Sequence, residues 1–171
     1  MGCAKSEAPA APEPDSRPRT PEARNELYEQ ARSGTLLIAQ SQTTLAEAES
    51  QASKLPSRLG ETRADILATL SSIRQDLAEF AMPVPPQKNF SKVAAAWRRQ
   101  MVKAISAATI AIQDLDELRT LLVDLQSDRA NRKAADALSL VDGLVEETVN
   151  SLIDAIQAYG GRLQEGLRPE Q

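Results

Sequence analysis

Residues 97–126 read WRRQMVKAISAATIAIQDLDELRTLLVDLQ, and their spacing decides the fold class. Trp97, Met101, Ala104, Ala108, Ala111, Leu115, Leu118, Leu122 and Leu125 recur at alternating intervals of four and three residues. At 3.6 residues per turn this spacing lines them along one face of a helix. A half-buried strand would alternate every second residue instead. The segment therefore predicts one long amphipathic helix, which must bury its stripe against other elements.

Similar stripes run through the rest of the chain. The first is Leu27, Ala31, Gly34, Ile38, Ser41, Leu45, Ala48, Ala52 and Leu55, and the second is Leu59, Ile66, Leu70, Ile73, Leu77 and Phe80. The last is Leu138, Val141, Val145, Thr148, Leu152, Ala155 and Tyr159. Ile105, Ile112, Val149, Ile153 and Ile156 widen the stripes beyond the seam of a two-stranded coiled coil. The expected fold is all-α: an antiparallel up-down-up-down four-helix bundle over 21–167, with helices near 21–55, 58–81, 90–126 and 131–165.

Punctuation supports these boundaries. Thr20-Pro21-Glu22 supplies a hydroxyl cap, a proline at the first helical position and an acid near the positive helix end. Met82-Pro83-Val84-Pro85-Pro86 stops the second helix, Ser127, Asp128 or Asn131 caps the fourth, and Gly160-Gly161 ends it. The second helix falls roughly 18 Å short of its neighbours at 1.5 Å per residue. The extended segment 82–89 is long enough to cover that gap. Because the stripe passes Pro56 nearly in phase, a single kinked helix over the first two segments stays open.

Composition narrows the chemistry. The chain has 171 residues, enough for one domain that needs no metal or disulfide staple. It contains no histidine, which removes the usual general base and the commonest metal ligand. Asp114, Asp116 and Glu117, like Glu146 and Glu147, fan around their helices and read as solvated faces. No glycine-rich phosphate loop occurs, and no serine has a base beside it. The net charge of −4 argues against a general nucleic-acid binder, and no apolar run is long enough to span a bilayer. The expectation is a protein without enzymatic activity, cofactor, metal or nucleic-acid partner.

The lone cysteine is Cys3, in Met1-Gly2-Cys3-Ala4-Lys5-Ser6. Pro9, Pro12, Pro14 and Pro18 follow among Ala, Glu and Ser, without apolar periodicity. Residues 1–20 are thus expected to be a disordered tether reaching roughly 50 Å, and 168–171 a short C-terminal tail. Gly2-Cys3 followed by an Ala/Pro/Glu spacer resembles the start of a mature bacterial lipoprotein. That resemblance implies a diacylglyceryl group on the Cys3 sulfur and a periplasm-facing place in the cell envelope. It requires an export signal upstream, so Met1 would lie inside a longer precursor. The same residues also resemble an N-myristoylation signal, with Gly2 as acceptor, Ser6 as the small downstream residue and Cys3 open to palmitate. That alternative implies an adaptor on the cytoplasmic face of a eukaryotic membrane. A third reading leaves Cys3 as an unmodified thiol.

Folding the stripes into the expected bundle gathers every aromatic at one end, the end from which the tether departs. Tyr28, Phe80, Phe90, Trp97 and Tyr159 lie there with Met82 and Met101. They read either as a plug for the wider end of the core or as a site for an apolar small molecule or lipid. Lys88, Lys92, Arg98, Arg99 and Lys103 form a basic patch at the same end, either solvated or facing phospholipid headgroups or an acidic partner. The reading that joins these features is a lipid-tethered scaffold that engages a protein partner at a membrane.

Overall fold

The computed structural model describes residues 20–162, all of them in helices, turns and short connections, with no strand among them. Cys3, Gly2, the expected tether and the expected C-terminal tail lie outside the described residues. Helix α1 spans Pro21–Ala52 and opens as its sequence dictates, with Thr20 Oγ1 accepting the Ala23 N–H at 3.0 Å. Between Ala52 and Glu61 the backbone leaves the α conformation. A 3₁₀ turn at Ser57–Leu59 follows Pro56, and Gly60 has φ +53°. The first two segments are therefore separate helices, because that backbone cannot continue an α-helix.

Helix α2 covers Glu61–Leu77 and tightens into a 3₁₀ turn over Ala78–Ala81 before the proline run. A single turn, α3, occupies Gln87–Phe90. Helix α4 then runs Ala94–Ser127, starting four residues later than the spacing suggested, because Val93 at φ −119°, ψ 9° breaks the path from α3. Helix α5 spans Ala135–Ala158, shorter at both ends than the expected 131–165. At its start, residues 129–134 form a 3₁₀ stretch in which Asn131 turns inward and donates from Nδ2 to the Leu125 carbonyl at 3.1 Å. At its end Gly160 takes φ +82°. The Gly160 N–H bonds the Gln157 carbonyl and the Gly161 N–H bonds the Ile156 carbonyl, a Schellman closure.

One hydrophobic core serves all the long helices. Every member of the α1 stripe is buried, as are Ile66, Leu70, Ile73, Leu77 and Phe80, and the whole final stripe from Leu138 to Tyr159. Helix α5 buries 11 of its 24 residues and α2 only 4 of its 17. Helix α1 packs along α5 and α2, while α4 packs along α5 and α2. Polar clasps join these neighbours: Glu49 of α1 pairs with Arg74 of α2, and Arg119 of α4 with Asp142 of α5 at 3.1 Å. Arg58, in the α1–α2 connection, donates to the Ala130 carbonyl in the α4–α5 connection.

Candidate functional site

The aromatic end is built from five chain segments. Asn25 near the start of α1 accepts a hydrogen bond from Gln87 of α3 at 2.8 Å, which pins the single turn α3 across the first turns of α1. Phe90, only 2% exposed, then meets the Tyr28 ring edge-on with centroids 5.3 Å apart. That T-shaped arrangement is the favoured one for aromatic quadrupoles. Phe80 and Met101 are buried beside the shared core, while Tyr28 and Trp97 are half-buried against it. Of the residues expected here, Met82 alone stands clear, at 61% exposure.

Tyr159 sits deeper. Its ring lies flat on Gly34, and a Cβ at that position would fall inside the ring's van der Waals surface. The Tyr159 hydroxyl shares a hydrogen bond of 3.0 Å with Thr35 Oγ1, so the one polar atom on this buried ring is satisfied. Burial raises the Tyr159 pKa above its ordinary value, and the Thr35 hydrogen bond offsets only part of the shift. The unfolded phenol ionises near pH 10 while the folded one keeps its proton, so the stabilisation is complete below about pH 10 and is lost as the pH rises further. Urea unfolding between about pH 9 and 11 should show that loss, and Tyr159→Phe should remove its share of the slope.

These contacts make the aromatic end a packed part of the core. Lys88, Lys92, Arg98, Arg99 and Lys103 are all exposed around it. None of the five is ion-paired with an acid among the described residues. The positive patch and the buried aromatics thus share one end of the molecule, with the patch on the outside.

An opening that the sequence did not advertise lies between α2 and α4. It encloses about 450 Å³ and is lined by Thr69, Ser72 and Ile73 on one side and Asp114, Leu118 and Leu121 on the other. A smaller space of about 180 Å³ continues it past Asp76, Ala107 and Ile110. The cause is the side-chain set of α2. Its outer face carries Ala68, Thr69 and Ser72, too small to fill the angle against α4. Leu121 is consequently 36% exposed, and Ile110, which lines the smaller space with Ile73 and Asp76, is 55% exposed. Stripe spacing marks only the deepest face of each helix, so this flank was not visible in it.

No group of three or more potential ligands that could hold a metal ion occurs among the described residues. Desolvation raises the Asp116 pKa, and the nearby Arg119 opposes that shift. Arg119 itself is held more firmly charged, chiefly by its hydrogen bond to Asp142. No protein family model, curated protein or solved structure matches this chain.

Proposed function

We propose that this chain is a lipid-tethered, non-catalytic scaffold, an up-down-up-down four-helix bundle held at a membrane by an acyl group at Gly2-Cys3. The observation that carries the reading is the placement of the sole cysteine. It stands at position 3, followed by a Pro/Ala-rich stretch that leads into the capped start of α1 at Thr20. The Glu49–Arg74, Arg119–Asp142 and Arg58–Ala130 contacts support the bundle topology, since each joins elements that such a connectivity makes neighbours. The exposed basic residues from Lys88 to Lys103 lie near the end where α1 begins, and at the tethered end they could meet anionic headgroups, although the exposed Glu22, Glu26, Glu29, Asp76 and Glu79 offset much of their charge. A diacylglyceryl group on Cys3 carries two acyl chains and anchors stably by itself, so the patch would orient the bundle on the membrane rather than hold it there.

The alternative, a site for an apolar small molecule or lipid at the aromatic end, draws no support from the packing of Phe80, Phe90, Met101 and Tyr159, all of which are buried. The lipoprotein reading is preferred over the myristoylated adaptor because one residue, Cys3, is then sufficient for attachment. The test is membrane fractionation and intact mass in the native source. Cys3→Ser should release a lipoprotein completely while Gly2→Ala leaves it attached. A myristoylated protein would instead be released by Gly2→Ala. Native protein with a bare thiol, an unblocked N-terminus and no membrane fraction would sink both.

A further inference from the structure

The exposed flank of α4 carries a pattern with an internal symmetry. Lys103, Ile110 and Glu117 are spaced seven and seven residues apart, so they share one face of the helix. All three are exposed, Ile110 by 55%. Counting outward from Ile110, a cation stands seven residues before it and an anion seven residues after it. Four residues either side are Ser106 and Asp114, a donor and an acceptor. Eleven either side are Arg99 and Leu121. From Lys103 to Glu117 the face is therefore self-complementary under a two-fold axis that reverses the helix direction, while the outer Arg99–Leu121 pair adds nothing to that match.

We infer that a second copy of this chain docks on this face, α4 against α4 and antiparallel, with Ile110 at the two-fold axis. Lys103 of each copy then meets Glu117 of the other, about 10.5 Å from the axis at 1.5 Å per residue. Ser106 of each copy lies opposite Asp114 of the other. The opening beside α2 gives the incoming helix its seat, since Thr69 and Ser72 leave Leu121 uncovered and the adjoining space past Asp76 leaves Ile110 uncovered. Such an interface is isologous, and every contact occurs twice. An anionic bilayer is a poor occupant of the same groove, because Asp76, Asp114 and Glu117 are all acidic and no Lys or Arg occurs on α4 between Lys103 and Arg119. The pairing needs neither acyl group nor bilayer, so it stands or falls apart from the tether.

Sedimentation equilibrium of the full chain at low salt tests it. The expected result is a concentration-dependent dimer that Ile110→Asp converts to monomer. Lys103→Glu and Glu117→Lys should each weaken dimerisation roughly tenfold or more, because each creates a like-charge contact on both sides of the axis. Mixing the two single variants should restore a dimer. The introduced glutamate then faces the introduced lysine on one side of the axis, and the native Lys103 and Glu117 meet on the other. The double variant, with both charges reversed, should dimerise with itself. Circular dichroism of all variants should match the parent, and so should their melting at concentrations where the parent is itself monomeric, because the three side chains are exposed. A chain that stays monomeric at high concentration overturns the inference. So does a dimer indifferent to these charges, and so does failure of the mixture to recover.

Discussion

Gly34→Ala is expected to destabilise the protein, although alanine is the better helix former by about 1 kcal/mol. The added methyl would enter the Tyr159 ring, which lies flat against the glycine. The ring belongs to a residue just past the end of α5, and its hydroxyl is held by Thr35, one residue from the substitution. Displacing it costs overpacking of about 1–3 kcal/mol and leaves a buried hydroxyl pair short of partners, worth about a further 1–3 kcal/mol. The net loss in urea unfolding should be about 1–5 kcal/mol once the helix-propensity gain is set against these terms. The same substitution in a Tyr159→Val background should cost nothing or stabilise slightly, since the obstacle is gone. An equal penalty in both backgrounds would show that Gly34 is required for some other reason.

Phe90→Ala should cost about 3–5 kcal/mol, the ordinary range for truncating a large buried side chain. The ring is 2% exposed and closes the core where α3 crosses the first turns of α1, edge-on to Tyr28. In thermal unfolding that loss corresponds to a fall in Tm of roughly 10 °C. Trp97→Ala should cost clearly less, because Trp97 is only half-buried against the same core. The order of the two effects is informative. If Trp97→Ala left stability intact while abolishing binding of an apolar ligand, the small-molecule reading of this end would displace the scaffold reading.

The stripes were the most legible part of the chain. Apolar residues at four-three spacing have one physical use in water, and the stripes from Leu27 to Ala52 on α1 and from Leu138 on α5 to Tyr159 at its C-cap are buried as that use demands. Thr20-Pro21 and Gly160-Gly161 were legible for the same reason, since the unpaired backbone groups at helix ends need those residue types. Less visible was how α3 and the 3₁₀ stretches take up residues at the helix ends. Such turns satisfy the same side-chain spacing as a first helical turn and differ only in backbone angles at single positions such as Val93 and Asn131. The expected topology put the aromatics at one end, but it could not say that Tyr159 rests on a glycine, a fact that depends on how far α5 slides along α1. The groove beside α4 was hidden for a different reason. It results from what α2 lacks, and small side chains leave no positive mark on a hydrophobic pattern.

Helix α2 is fastened by four buried side chains, Ile66, Leu70, Ile73 and Leu77, and is bracketed by Gly60 on one side and the proline run on the other. With so little apolar surface committed, it is the wall of the fold expected to yield first, and its amides should exchange ahead of those of α1, α4 and α5. α1, α4 and α5 can keep their mutual grip while that wall lifts. A flank that opens on its own would let whatever presses into that side reshape its seat without melting the rest.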